Sequence, residues 1–115
     1  AGPTNLTDMR NSTPATVAVV EGLIGASLQA DPASYREASP ISHVSASTKP
    51  TLIFHGRKDP VVPVQQSIDL KAKLDEHSVK SKLVIFEDAG HEVINTTNAP
   101  AFLTELDSWL LTFLM

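Results

Sequence analysis

The sequence contains no cysteine and no long apolar run. Without cysteine, neither a disulfide framework nor a thiolate metal site is possible, and the redox compartment is not indicated. No apolar stretch approaches the roughly 20 residues that a membrane-spanning helix needs. Residues 1–10 lack the basic region followed by an apolar region that is typical of a signal peptide. We therefore expect a soluble chain without its own targeting signal, and the sequence leaves its localisation open.

The sequence also lacks a cluster of basic residues. Its nine Lys and Arg residues are scattered along the chain, and the formal net charge is -4. Proteins that follow a phosphate backbone usually carry a basic patch or stripe, so a nucleic-acid partner is not expected. The composition, with 42% hydrophobic and 19% charged residues, is typical of a folded globular chain. A chain of 115 residues forms one small domain at most.

The apolar runs in the middle of the chain predict an α/β fold. Pro50 to His55 and Lys82 to Phe86 are short and show no polar alternation, which is typical of strands buried on both faces of a parallel sheet. Between them, Val64 to His77 has apolar residues at helical spacing among Lys and Asp. Strand, helix and strand in this order predict two parallel strands joined by a helical crossover.

Three further segments complete the predicted architecture. A helix from about Pro14 to Leu23 begins after the capping residue Thr13 and stops at Gly25. Gln29 to Pro40 is predicted to be an irregular connector with one helical turn. A last helix, starting near residue 98 or 100, has a broad apolar face that we expect to cover a sheet. Its apolar residues are Phe102, Leu103, Leu106, Trp109, Leu110, Phe113 and Leu114.

Two residues with catalytic potential follow the two predicted strands. Asp59 lies just past the first strand and His91 just past the second. Loops at the carboxyl ends of parallel strands line the ligand crevice, so these two side chains are expected at the same edge of the sheet. A carboxylate next to an imidazole fixes its tautomer and stabilises the imidazolium that forms on proton uptake. Gly56 and Gly90 are expected to permit the tight backbone of these loops.

Either residue alone would be weak evidence, because a single Asp after a strand is usually a turn residue. The other histidines have no comparable context. His55 closes an apolar strand and is predicted to be a hydrogen-bonded core residue, whereas His43 and His77 are not placed near either loop. No two histidines stand at metal-ligand spacing. We therefore predict neither a catalytic metal nor a cofactor.

The combined motifs resemble the C-terminal third of α/β-hydrolases. The resemblance is greatest to the esterase, dienelactone hydrolase and prolyl oligopeptidase branch, including lipases and esterases that act on small or carbohydrate-linked acyl groups. It implies that Asp59 is the acid and His91 the general base of a catalytic triad. The matching segments are Gly2-Pro3-Thr4-Asn5-Leu6, Tyr35 to Val44, Pro50 to Gly56 with Asp59, Val62-Pro63, Gln66-Ser67 and Gly90-His91.

The chain departs from this family pattern in one respect. The family nucleophile lies in the motif G-x-S-x-G, which this sequence does not contain. The resemblance therefore implies that residues 1–115 are the C-terminal fragment of a single α/β-hydrolase domain, with an incomplete sheet and no nucleophile of its own. We expect such a fragment to be inactive alone and to self-associate through an exposed sheet edge. A non-catalytic interaction module, a peptidase fragment related to prolyl oligopeptidase and a small independent α/β domain are the alternatives.

Overall fold

The computed structural model of the chain describes residues 2–114. In this part of the chain, four α-helices, one short 3-10 turn and two strands follow one another along the sequence. They are α1 (Pro14–Ile24), α2 (Pro32–Glu37), the 3-10 turn Pro40–His43, β1 (Thr51–Gly56), α3 (Gln65–Glu76), β2 (Ser81–Phe86) and α4 (Ala99–Leu114). The predicted helices and strands are confirmed with small changes at their ends, and the 3-10 turn was not predicted.

The two strands form a parallel sheet, as the sequence predicts. The register pairs Thr51 with Ser81 at one end and Gly56 with Phe86 at the other. α3 packs against one face of this sheet, where Leu74 is buried next to Ile53. Because the strands are parallel and in this register, the loops after β1 and β2 leave the sheet at the same edge.

A second, separate core lies between the N-terminal segment and the first two helices. Leu6, Val20 and Tyr35 are buried against one another there, and the Tyr35 hydroxyl donates to the carbonyl of Ala26 at 2.7 Å. α1 begins where Thr13 accepts a hydrogen bond from the backbone of Thr16, and it ends at Gly25, whose φ of 92° favours glycine. The helix therefore starts and stops where the sequence predicts.

The side chain of Gln66 joins this N-terminal segment to α3. Its Oε1 accepts hydrogen bonds from the backbone of Thr4 and Asn5 at 2.9 and 2.7 Å. Its Nε2 donates to the carbonyls of Asn5 and Asp8. Gln66 is buried, so one side chain provides the partners for four backbone groups and holds the segment beside the first turn of α3.

α4 covers the sheet only in part. The prediction that its broad apolar face covers a sheet is therefore correct for Phe102 but wrong for other residues of that face. The ring of Phe102 packs on Phe54 with centroids 4.5 Å apart. However, Leu103 and Leu110 are 56% and 42% exposed. A sheet of two strands, spaced about 5 Å apart, is too narrow to bury the whole apolar face of α4. Phe113 is exposed as well, and the side chain of Leu114 lies outside the described part.

Between residues 2 and 114, none of the helices has the length and apolar character that crossing a membrane requires.

Candidate active site

Asp59 and His91 meet at the edge of the sheet where both strands end. The Nδ1 atom of His91 lies 2.9 Å from Oδ2 of Asp59. Backbone hydrogen bonds hold the two loops together, from Arg57 to the carbonyl of Phe86 and from Lys58 to the carbonyl of Ala89, each 3.0 Å long. The structure thus brings together the two site residues that the sequence predicts.

The carboxylate of Asp59 is fixed by its own loop. Its Oδ1 accepts hydrogen bonds from the backbone N–H groups of Val61 and Val62, both 2.8 Å long, and its side chain is fully buried. Burial acts to raise the pKa of Asp59, but hydrogen bonds from Val62, His91 and Val61 outweigh it and hold this pKa below its usual value. Asp59 is therefore ionised at neutral pH and can act only as an acceptor.

This acceptor determines the tautomer of His91. Because a carboxylate has no proton to donate, Nδ1 of His91 carries the hydrogen that points at Asp59. The neutral ring then has its lone pair on Nε2. The side chain of His91 is 49% exposed, so the imidazole can exchange a proton at Nε2 while Nδ1 stays bonded to Asp59. In this arrangement the carboxylate orients the imidazole and can stabilise the imidazolium that proton uptake at Nε2 would form.

Gly56 permits the close approach of the two loops. A Cβ atom at this position would lie 2.5 Å from the carbonyl oxygen of Ala89 and would also collide with that of Gly90. The prediction for Gly56 is therefore confirmed. The same prediction for Gly90 is wrong, because a Cβ there would meet only the flexible carboxylate of Glu92, at 3.1 Å, and its φ is not positive.

The loop that follows His91 has a strained residue and a side-chain clamp. Val93 has a φ of 60°, which is rare for a β-branched residue. The Nδ2 atom of Asn98 donates to the carbonyl of Val93 at 2.7 Å, and Oδ1 of Asn98 accepts from the backbone of Asn95 at 2.8 Å. Asn98 therefore holds the loop of His91 against the start of α4. The sequence pattern indicates Asn98 only as a possible start of the last helix, not as a contact of this loop.

His55 is a buried core residue, as predicted, and it contacts the loop that carries Asp59. Its Nε2 atom lies 2.8 Å from the carbonyl oxygen of Val62 and its Nδ1 atom 2.5 Å from Oγ of Ser67. Burial lowers the pKa of His55, so the ring is neutral at neutral pH. His43 instead contacts the carbonyl of Glu37, and the structure does not bring it to the site.

His77 lies at the end of α3 and is likewise not brought to the site. Between residues 2 and 114, no group of three or more His, Asp or Glu side chains is arranged to hold a metal ion.

An apolar groove opens beside His91. It runs between α1 and the loop that carries Asp59, and among residues 2–114 no Lys, Arg, Asp or Glu side chain lines it. Its lining residues are Gly2, Pro3, Thr13, Ala15, Thr16, Val19, Val20, Val61, Val62 and His91. Such a surface suits an uncharged group placed next to the imidazole.

Comparison with known proteins finds similarity to several hydrolases. The "Probable carboxylic ester hydrolase LipM" of Mycobacterium tuberculosis is 53% identical over 34 residues, which are 30% of this chain and 8% of that protein. The acylamino-acid-releasing enzyme 1 of Oryza sativa subsp. japonica is 34% identical over 61 residues, 53% of this chain and 8% of the relative. The dipeptidyl-peptidase 4 of Giardia intestinalis is 31% identical over 80 residues, 70% of this chain and 10% of the relative. The chain thus spans a tenth or less of the length of these relatives.

A solved structure and a family model agree with these relatives. The structure, described as a truncated form of carbohydrate esterase from gut microbiota, has a TM-score of 0.56 and 31% sequence identity. The match covers 66% of this chain and 28% of that structure. The BD-FAE family model matches residues 1–74, more than half of the chain. The chain therefore belongs to the BD-FAE family, within the α/β-hydrolase superfamily.

Proposed function

We propose that this chain supplies the acid and the general base of a Ser-Asp-His triad in a carboxylic ester hydrolase. Asp59 is the acid and His91 the base. The observation that carries the proposal is the 2.9 Å contact between Nδ1 of His91 and Oδ2 of Asp59 at the carboxyl edge of a parallel sheet. In this proposal, residues 1–115 are the C-terminal part of one α/β-hydrolase domain.

The proposed reaction uses Nε2 of His91 as the site of proton exchange. As a serine hydroxyl attacks the ester carbonyl, its proton moves to Nε2, and the buried carboxylate of Asp59 stabilises the imidazolium that results. The imidazolium then donates this proton to the departing alkoxide, which leaves as the alcohol and completes the acyl-enzyme. Water attacks the acyl-enzyme in the second half, and the same nitrogen takes and returns its proton.

The nucleophile and the oxyanion hole belong, in this proposal, to other parts of the whole protein. The 115 residues contain no G-x-S-x-G motif, and the oxyanion hole takes its amides from the residue after the nucleophile and from an earlier loop. The small share of each relative that the chain spans supports this division.

The groove beside His91 supports a small or carbohydrate-linked ester as the substrate. Within the described part of the chain, the side chains that line it are all uncharged apart from the imidazole, if that ring is protonated, so it suits an uncharged acyl or alcohol group. The resemblance to a carbohydrate esterase structure points in the same direction.

A peptidase is the second candidate, because two of the relatives are named an acylamino-acid-releasing enzyme and a dipeptidyl-peptidase. The triad chemistry is the same for esters and amides. The two candidates are separated by the ratio of kcat/KM for a p-nitrophenyl ester to that for the p-nitroanilide of a short acylated peptide, measured on the whole protein. A ratio far above that of the uncatalysed reactions favours the esterase.

A fluorophosphonate probe tests the proposed function directly. The whole protein is expected to be labelled stoichiometrically at a serine outside the 115 residues, and to hydrolyse p-nitrophenyl acetate. The 115-residue chain alone is expected to show neither labelling nor hydrolysis above a control with an inert protein, because a base without a nucleophile offers no covalent route. Stoichiometric labelling of the chain alone would contradict the proposal, and so would a whole protein that the probe does not label, which would favour a non-catalytic module.

A further inference from the structure

The buried pair formed by His55 and Ser67 is not part of the proposed proton transfer. His55 lies near the end of β1 and is 0% exposed. Ser67, in the first turn of α3, is 1% exposed. The two side chains meet at 2.5 Å, between Nδ1 of His55 and Oγ of Ser67. A buried polar pair of this kind restricts the geometry of whatever it contacts.

The hydrogen bonds of His55 determine where its proton lies. The carbonyl oxygen of Val62 can only accept, so Nε2 of His55, 2.8 Å away, carries the hydrogen. The ring is neutral, which leaves the lone pair on Nδ1. The hydroxyl of Ser67 must therefore be the donor of the contact with Nδ1.

The backbone of one residue, Val62, links His55 to the acid. The N–H of Val62 donates to Oδ1 of Asp59 at 2.8 Å, while the carbonyl of Val62 accepts from His55. In addition, Nε2 of His55 lies 3.4 Å from Oδ2 of Asp59, the oxygen that binds His91. His55 thus contacts both the backbone that holds Asp59 and the carboxylate itself.

We propose that Ser67 and His55 are positioning residues, which fix the loop of Asp59 and thereby the hydrogen bond from Asp59 to His91. Ser67 anchors the ring of His55 to α3, and His55 anchors Val62. Without the hydroxyl of Ser67, the buried Nδ1 atom of His55 has no hydrogen-bond donor. The ring of His55 and the loop of Asp59 are then free to shift. The consequence for catalysis rests on the proposed function, whereas the positioning itself is a property of these 115 residues.

Nuclear magnetic resonance of the chain labelled with ¹⁵N-histidine tests the positioning without any activity. Long-range ¹H–¹⁵N spectra report which nitrogen carries the proton. We expect His55 in the Nε2–H form and His91 in the Nδ1–H form. In Ser67→Ala, exchange of the His91 Nδ1 proton with water should be faster by about tenfold, the size expected for the loss of one buried hydrogen bond. Ser108→Ala, an exposed serine on α4, is the matched control and should leave this rate unchanged.

Kinetics of the whole protein supply the second test. Ser67→Ala should lower kcat for p-nitrophenyl acetate by about tenfold and leave KM within about twofold, because Ser67 is buried and does not line the groove, so that only the orientation of the base changes. Ser108→Ala should leave both constants unchanged.

Either of two results would overturn the proposal: His55 in the Nδ1–H form, or unchanged exchange of the His91 proton in Ser67→Ala. If the spectra agree with the expectation and the whole protein lacks hydrolase activity, the positioning pair stands and the proposed function fails.

Discussion

Nδ1 of His91 donates to Oδ2 of Asp59 across 2.9 Å, although the two residues are 32 positions apart in the sequence. The contact arises because β1 and β2 are parallel and paired from Thr51 with Ser81 to Gly56 with Phe86, so that both following loops leave the same edge of the sheet. Asp59 is buried and His91 is half exposed. The carboxylate is therefore shielded from water while the imidazole is accessible.

Replacing Asp59 by Asn should destabilise the chain most at neutral pH. The pKa of Asp59 in the folded chain lies below 3.8, its usual value. The ionised carboxylate therefore stabilises the fold above pH 3.8, and this contribution is lost as the pH falls further, through the lowered pKa. We expect a loss of about 1 to 3 kcal/mol for Asp59→Asn at pH 7, which becomes smaller below pH 3.8. Urea denaturation at a series of pH values measures it.

Asp88→Asn is the control for this experiment, because the side chain of Asp88 is 94% exposed. It should change the free energy of unfolding by less than about 0.5 kcal/mol at pH 7 and at pH 3. If Asp59→Asn loses the same free energy of unfolding at pH 7 and at pH 3, the negative charge of the carboxylate does not stabilise the fold.

Substituting alanine at Gly56 should be strongly destabilising. The added Cβ would collide with the carbonyl oxygens of Ala89 and Gly90, and backbone has to move to relieve the contact. We expect a loss of about 1 to 3 kcal/mol in the free energy of unfolding, measured by urea denaturation. Because the collision lies between the two loops, the His91 Nδ1 proton should also exchange faster with water.

Gly22→Ala is the matched control, since a Cβ at Gly22 meets nothing within 4 Å and the residue lies inside α1. Alanine there should stabilise the chain by about 0.5 to 1 kcal/mol. Equal effects at Gly56 and Gly22 would show that the two loops do not approach as closely as described.

The isolated chain should self-associate through a strand edge. Each strand of the sheet pairs on one side only within residues 2–114, and unpaired strand edges are templates for another chain. Sedimentation equilibrium over a wide concentration range measures the association. Leu111→Lys, at an exposed position of α4, should leave the association constant unchanged if the strand edge is the contact. A stable monomer with a cooperative thermal transition would contradict this prediction and favour an independent domain.

Local sequence patterns were sufficient to predict the elements that carry the site. The strands at Pro50 to His55 and Lys82 to Phe86 are recognisable because buried parallel strands are apolar throughout. Their order and direction were then enough to predict that Asp59 and His91 meet. The pattern of apolar residues in α4 predicts a helix correctly, but it cannot indicate how wide a sheet is available to cover it.

Contacts between distant side chains were not predictable in this way. Gln66-Ser67 is one of the segments that resemble the family, but the contact of Ser67 with His55 depends on how α3 returns across the sheet. Asn98 donates to the carbonyl of Val93, a residue whose positive φ the sequence does not indicate. Such contacts depend on tertiary geometry, for which neither propensity nor periodicity carries a signal.

The central claim is that His91 is the general base of a serine hydrolase, and kcat of the whole protein measures it most directly. His91→Ala should lower kcat for p-nitrophenyl acetate by several orders of magnitude, because the nucleophile loses the group that takes its proton. His77→Ala, at the end of α3 and away from the site, should retain the kcat of the unchanged protein. If His91→Ala also retains that kcat, another group is the base and the assignment of His91 is wrong.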